Sequence, residues 1–322
     1  MIGWGIIGCG AVAETKSGPA FSRLPGSRLV AVMRRDGALA ADFARRHGAL
    51  RSYSSAQELL ADPEVSAVYV ATPPDSHARY AILAMQAGKP VYVEKPMALN
   101  ALEAEQMLEV SRATGQPLFV AYYRRCLPAF LKVREWLSRI GEVRFVLCEL
   151  VRGPDPEGPD AWRVQPELSG GGYFVDLGSH VLDLLDFLLG PITRARGTPA
   201  WQAGMYPAED LVTAELVFSN GALGTGVWCF NARPEDQRDR VEIVGSRARL
   251  SFSCFRPDPV RLSTGEEFVA ESVTCVQEPL LATVLSALRG EGECPSTGHS
   301  ALRTERVMDA ILGRSPSSRA WS

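Results

Sequence analysis

The chain runs to 322 residues, 46% of them hydrophobic, which exceeds what one hydrophobic core usually fills and points to two folded domains. Its formal net charge of -3 comes with no basic cluster, so no field gathers nucleic acid or an anionic membrane, and no apolar run reaches the roughly 18 residues of a membrane span. Seven cysteines (Cys9, Cys126, Cys148, Cys229, Cys254, Cys275 and Cys294) and four histidines are too dispersed for structural zinc, a redox dithiol or any metal centre, and the thiols are expected to be buried.

From Met1 the sequence passes straight into a strand-like stretch, with no basic leader, apolar signal core or small-residue cleavage site, and a cytoplasmic location is expected. Strands are predicted at 3–7, 29–33, 67–71, 91–94 and 118–122, separated by helical patterns. That alternation is the mark of a parallel sheet covered on both faces. Ser55 with Glu58 and Asn100 with Glu103 have capping-box spacing, Asp75 can cap the helix running towards Gln86, and Gly48, Gly88 and Gly115 sit where helices stop. After Tyr123 the pattern changes to a helix at 128–140, a strand at 143–151, a Pro/Gly-rich loop and a helix from Tyr173. Several strands follow, parted by Asn220-Gly221, Gly245-Ser246 and Thr264-Gly265 as hairpins would be. The expected organisation is an α/β domain over 1–122 and an α+β domain over 123–322. The last helical stretches, 279–289 and 300–313, are candidates to pack back on the first domain.

Gly8-Cys9-Gly10-Ala11-Val12-Ala13 follows the first strand and opens a helix, the G-x-G-x-x-A form of a dinucleotide-binding turn. Gly8 makes the tight turn, Gly10 lets backbone approach a pyrophosphate, and Ala13 allows helix and sheet to pack closely. The pyrophosphate would meet the free N–H groups of the helix start. The end of the second strand should choose the cofactor, since an acid there binds ribose hydroxyls and an Arg accommodates a 2′-phosphate. The strand runs into Met33-Arg34-Arg35-Asp36. A guanidinium can clamp a phosphate bidentately, so NADP is the expected preference. The alternative is NAD, with Asp36 on the ribose and both arginines ordinary surface charges.

Val91-Tyr92-Val93-Glu94-Lys95-Pro96 places Lys95 at the carboxyl end of a central strand, the edge where open α/β sheets bind ligands. Desolvation there can bring an amine into the range useful for proton transfer, or the lysine is merely solvated. Farther on, Gly170-Gly171-Gly172 leads into a predicted helix. Asp176, His180 and Asp183 fall on one polar face of it, and Leu177, Val181, Leu184, Leu185 and Leu188 on an apolar stripe. A carboxylate one turn from an imidazole can orient it, and Gly178 leaves room for something to approach the backbone. Trp162 and Arg163 line the cleft or else pack their loop.

Taken together, these residues resemble the glucose-fructose oxidoreductase/inositol dehydrogenase family, called Gfo/Idh/MocA. The resemblance runs from Gly8-Cys9-Gly10 through Ala71-Thr72-Pro73-Pro74-Asp75-Ser76-His77, Ala87-Gly88-Lys89-Pro90 and Glu94-Lys95-Pro96 to Trp162-Arg163 and the 170–180 stretch, and fades beyond about Gly190. It implies an N-terminal Rossmann domain and a C-terminal α+β domain whose large, mostly antiparallel open sheet often joins subunits, hence a homodimer or homotetramer. It also implies metal-free, reversible oxidation of a sugar or cyclitol hydroxyl. By position Lys95 matches the family's E-K-P lysine, and Asp176 and His180 match its substrate-site pair. With the readings above, the expected cofactor set is Gly8, Gly10, Ala11, Val12, Arg34, Arg35, Thr72, Pro73, His77, Glu94 and Lys95, and the expected substrate set is Tyr123, Trp162, Arg163, Asp176 and His180. A cis Lys95-Pro96 bond, frequent among relatives, is a further expectation. Two departures stand out: Arg34-Arg35 replaces the acidic strand end of typical NAD-using members, and Tyr123 stands where many relatives carry Asn or His.

The expected activity is transfer of hydride between nicotinamide and a hydroxyl or carbonyl carbon of a sugar, cyclitol or related polyol, with Lys95 and His180 in proton transfer and Asp176 orienting His180 or binding a neighbouring hydroxyl. Two alternatives stay open: a nicotinamide-binding regulator or sensor without turnover, and a reductase of a non-sugar carbonyl or dihydrodiol. Specificity is expected to come from loops such as 152–169, with its many Pro and Gly residues.

Overall fold

Short apolar runs buried on both faces become five strands of a six-stranded parallel sheet, β1 (Ile2–Ile7), β2 (Ser27–Met33), β4 (Ala67–Val70), β5 (Val91–Val93) and β6 (Leu118–Val120), and the polar β3 (Arg51–Tyr53) completes it. The computed structural model describes residues 1–154 and 158–314. Its contacts divide into two units, Met1–Tyr123 with Val273–Leu302, and Arg124–Ser272 with the segment from Arg303.

In the first unit the strand order is β3-β2-β1-β4-β5-β6, the doubly wound arrangement whose direction reverses between β1 and β4. Helices α1 (Gly18–Arg23), α2 (Gly37–His47), α3 (Ala56–Ala61), α4 (His77–Gln86) and α5 (Ala101–Thr114) connect the strands. β3 was not expected. It is a three-residue edge strand, Arg51-Ser52-Tyr53, with no apolar run to betray it, and its Arg51 and Tyr53 side chains bond the Asp62 carboxylate. Asn100 caps α5 by accepting from the Glu103 N–H at 3.0 Å, while the Glu103 carboxylate turns back to Leu99 N. The other two caps are corrected. Ser55 precedes α3 but its hydroxyl donates to Gln57 Oε1 instead of capping. Asp75 lies within a 3-10 turn (Pro74–Ser76), which leaves Ser76 at the start of α4. The helices stop where expected, at Gly48 and Gly115, with Gly88 just beyond α4. α9 (Glu278–Leu288) belongs to this unit; α10 (Gly298–Ile311) contributes its residues up to Leu302 here and from Arg303 to the second unit.

The second unit holds α6 (Pro128–Trp136), which continues as a 3-10 turn Leu137–Arg139, then β7 (Val143–Val151), α7 (Pro166–Ser169) and α8 (Ser179–Leu189). β8 (Ile192–Ala200), β9 (Leu211–Phe218), β10 (Leu223–Cys229), β11 (Arg238–Gly245), β12 (Arg249–Phe252), β13 (Val260–Leu262) and β14 (Glu267–Phe268) complete an eight-stranded sheet of order β14-β13-β12-β11-β7-β10-β9-β8. Only the β7 and β10 neighbours run parallel. The sheet is thus mostly antiparallel, as expected, and its hairpins turn at the three predicted dipeptides. Along β9, Val212, Ala214, Leu216 and Phe218 alternate into the core, while Phe145 and Leu223 on neighbouring strands are 41% and 58% exposed. All seven cysteines are free; five are buried, but Cys126 and Cys229 are only half-buried, the latter in a strand whose thiol meets Asn231 Oδ1 at 3.0 Å.

The interior of this unit contains an ion cluster. Arg125, 3% exposed, grips both oxygens of Asp183, 1% exposed, at 2.8 and 2.7 Å, and Arg303 grips Asp186 at 2.9 and 2.6 Å. Burial pushes the Asp183 carboxyl up and the guanidinium opposes it. Asp183 stays one turn from His180 on α8, but its carboxylate is taken up by Arg125 and anchors α8 to the segment before α6. Breaking such a pair costs more than never having had it, because a charge is left buried alone. Arg125→Met should lower folding stability by about 3–5 kcal/mol in a denaturant titration, and adding Asp183→Leu should recover part of that loss. A single variant as stable as the parent would show that the pair does not hold α8.

Candidate active site

The glycine turn forms as its spacing requires. Gly8 has φ 93°, and a Cβ there would lie 2.7 Å from the backbone nitrogen of Thr72, so no other residue fits between β1 and the loop after β4. At Gly10 a Cβ would meet nothing within 4 Å. That open cradle, at the start of a helix whose first N–H groups lack intrahelical partners, suits the pyrophosphate of a dinucleotide. Ala11 is exposed and Val12 half-buried at the helix start, and Ala13 is fully buried against the sheet. The helix opens with a π-helical turn, Ala13–Ser17. Burial pushes the Cys9 thiol up to about 11, an effect that nearby Arg34 opposes, which places the Arg34 charge close to the turn. Arg34 and Arg35 are both exposed and neither is in an ion pair among the described residues. Asp36 caps α2 through Oδ1, accepting from Ala38 N at 3.0 Å and Leu39 N at 3.1 Å.

The E-K-P segment leaves β5 with a cis Lys95-Pro96 bond, as expected. Lys95 is half-buried at the carboxyl end of the strand. The Glu94 carboxylate turns inward, away from solvent: it accepts from Tyr69 Oη, from Gln277 Nε2 and, at 3.2 Å, from the backbone N–H of Lys95 itself. Gln277 in turn accepts from Tyr92 Oη at 3.0 Å. Glu94 thus serves as a brace for the lysine's backbone. Thr72 and Pro73 border the glycine turn, and His77 is committed to the protein: its ring lies 2.7 Å from the Thr72 carbonyl and 2.9 Å from that of Pro96, tying one loop to the other. Burial pushes the His77 pKa down, against the two carbonyls that favour the charged ring.

In the second unit the predicted helix from Tyr173 begins with a π-helical turn, Phe174–Gly178, before α8 starts at Ser179. The wide turn replaces the regular spacing expected between Asp176 and His180. His180 is 3% exposed, and Asp176 lies 3.5 Å from Arg163, whose guanidinium stacks 4.5 Å over Trp162. The space expected beside Gly178 is filled by Phe174 and Trp228, with which a Cβ would make contacts of 2.8 and 3.3 Å. Val181, Leu184, Leu185 and Leu188 are buried as expected, Leu177 only partly. The Gly170-Gly171-Gly172 run folds against Glu209, whose buried carboxylate accepts from Gly172 N at 2.9 Å; burial pushes that carboxyl up. Tyr123 is 7% exposed. Of the loop 152–169, residues 155–157 lie outside the described residues.

Several supporting groups escaped the sequence reading. Tyr69 sits in a strand as an ordinary core residue and Gln277 lies 183 positions from Glu94, so no local spacing connects them. Glu209 follows a loop of no distinctive pattern. Among the described residues no group of three or more His, Cys, Asp and Glu is placed to hold a metal ion, and no helix is long and apolar enough to cross a membrane.

Comparisons with known proteins agree with this geometry. The model of the oxidoreductase family with an NAD-binding Rossmann fold matches residues 2–122, and that of the GFO/IDH/MocA C-terminal domain matches 130–251. The chain is 36% identical over 320 residues to Oxidoreductase P35 of Formosa agariphila, covering 97% of this chain and 98% of that protein. It is 28% identical over 311 residues to the 1,5-anhydro-D-fructose reductase of Ensifer adhaerens, covering 93% and 92%. The structure of the WlbA dehydrogenase from Bordetella pertussis, in complex with NADH and UDP-GlcNAcA, superimposes with a TM-score of 0.84 at 26% identity, over 97% of this chain and 95% of that one. A nucleotide-binding turn, a braced E-K-P strand end and the two matching domains together make this chain a member of the Gfo/Idh/MocA family of NAD-binding oxidoreductases.

Proposed function

We propose that the protein is a dehydrogenase or reductase that interconverts a hydroxyl and a carbonyl on a sugar, cyclitol or related small molecule, with NADP preferred over NAD. The observation that carries this reading is the buried His180 on the helix start that also holds Asp176 beside Arg163, an imidazole and a hydroxyl-binding ion pair gathered in one short segment. The substrate class draws on the similar 1,5-anhydro-D-fructose reductase. Gly8, Gly10, Ala11 and Val12 would hold the dinucleotide's phosphates, Arg34 and Arg35 the adenosine end, and Thr72, Pro73 and Lys95 the far end. When bound, the nicotinamide supplies the hydride acceptor or donor. In the oxidative direction His180 accepts the hydroxyl proton and in the reductive direction returns it; Lys95 donates a hydrogen bond to the reacting oxygen and stabilises charge on it. Asp176, already paired with Arg163, orients His180 or accepts from a neighbouring substrate hydroxyl, while Trp162 and Tyr123 shape the surroundings.

The adenosine end carries the reading of NADP over NAD. The structure of the similar WlbA dehydrogenase holds NADH; here Oδ1 of Asp36 caps α2, and the two exposed guanidinium groups that follow β2 are in no ion pair among the described residues. An unpaired Arg gains most from a phosphate, through charge-assisted bidentate bonds. The apolar side chains Phe145, Leu147 and Leu223, exposed on the second sheet, support assembly with a second copy of the chain.

His180→Ala should cut turnover by about 10²–10⁴-fold with NADPH affinity unchanged, and Lys95→Ala should cut turnover to a similar extent; steady-state rates and nicotinamide fluorescence read the two quantities, and parental turnover in either variant would sink the assignment. Fluorescence titration of the parent should show tighter binding of NADPH than of NADH. Arg34→Ala should weaken NADPH by about 10- to 100-fold, the worth of a charge-assisted contact, and leave NADH nearly unaffected. Equal weakening of both would return the arginines to the role of surface charges.

A further inference from the structure

Beside His180 lies an aromatic ring whose placement is unusually well determined. The loop after β12 is gathered by one buried carboxylate: Asp239 accepts from the backbone N–H groups of Cys254 at 2.9 Å, Phe255 at 2.6 Å and Arg256 at 2.9 Å. Arg124 ties the same loop by donating from Nε to the Cys254 carbonyl at 3.0 Å, and its guanidinium carbon stands 4.4 Å from the centroid of the Phe255 ring. The ring in turn meets the His180 imidazole at 6.0 Å between centroids and 76° between planes. Phe255 packs against the core yet remains partly exposed.

We propose that Phe255 is a specificity-determining residue that offers its ring to the C–H face of a cyclic polyol, so that the substrate is a pyranose or cyclitol in preference to an open-chain sugar alcohol. The inference rests on the assignment of His180 to the reacting hydroxyl. A six-membered polyol presents a patch of axial C–H groups between its equatorial hydroxyls, and such a patch suits the electron-rich face of an aromatic ring. An open-chain polyol has no flat face and leaves most of the ring's surface uncovered. The fixed loop means that little conformational freedom is lost when substrate arrives. Because the contact exists in ground state and transition state alike, it acts on binding and appears in KM more than in kcat.

The test is kcat and KM for a panel of cyclic polyols and open-chain polyols, with their ketones, measured with both cofactors on the parent, Phe255→Ala and Phe255→Tyr. The parent should favour cyclic members. Phe255→Ala should lower kcat/KM for these by about ten-fold, mostly through KM, and for open-chain members by no more than about two-fold, with Phe255→Tyr restoring the difference. Nicotinamide fluorescence checks that the variant still binds cofactor; if Phe255→Ala does not, Phe255→Leu carries the same comparison. Equal losses on both substrate types, no loss on cyclic ones, or a parent that prefers open-chain polyols would overturn the role of Phe255. A parent that binds cofactor but turns over no member of the panel would overturn the proposed function itself, and this inference with it.

Discussion

Buried carboxylates that accept backbone N–H groups hold this chain's irregular segments in place. A loop cannot satisfy its own peptide groups as a helix or sheet does, and an ionised oxygen makes the stronger kind of hydrogen bond. Glu94 takes the N–H of Lys95, Glu209 that of Gly172, Asp239 three in succession from 254 to 256, and Asp210 those of Gln202 and Ala203 at 2.9 and 2.7 Å. Each of these acids is itself buried. Several of the segments so held flank residues assigned to chemistry, which explains how side chains on loops and strand ends keep a fixed geometry.

The same device accounts for two different uses of one residue type. Asp183 and Asp186 are also buried, but their partners are guanidinium groups, and they join helices. Asp176 differs from them in being only partly buried, 3.5 Å from Arg163. Carboxylates with their oxygens occupied by the protein build the frame.

Much of this was legible in the amino-acid order. The first sheet follows from short apolar runs, the nucleotide turn from three spaced small residues, the hairpins from their turn dipeptides and the E-K-P strand end from position alone. What escaped detection depends on residues far apart: Gln277 on Glu94 and Asp239 on Phe255 carry no local signature. The period assumed across 173–183 fails at Asp176, which lies in the wider turn, and the pairing of Asp183 with Arg125, 58 positions away, has no local signature. Ser55 and Asp75 fit capping spacings but found other roles, since a short polar side chain has several local partners to choose among.

The two helices assigned to cofactor and to substrate share an opening device, a π-helical turn at Ala13–Ser17 in one and at Phe174–Gly178 in the other. Such a turn is an α-helix with one residue too many, and the surplus can be removed without breaking the helix on either side. Shortening the chain by one residue within 174–178 would let the segment close into regular helix and rotate everything before it by about 100° relative to α8. Asp176 would swing round while His180 stayed. In a lineage of enzymes built on this frame, a one-codon deletion at that point would re-aim the Asp176 carboxylate in a single step and leave the core residues of α8 where they are.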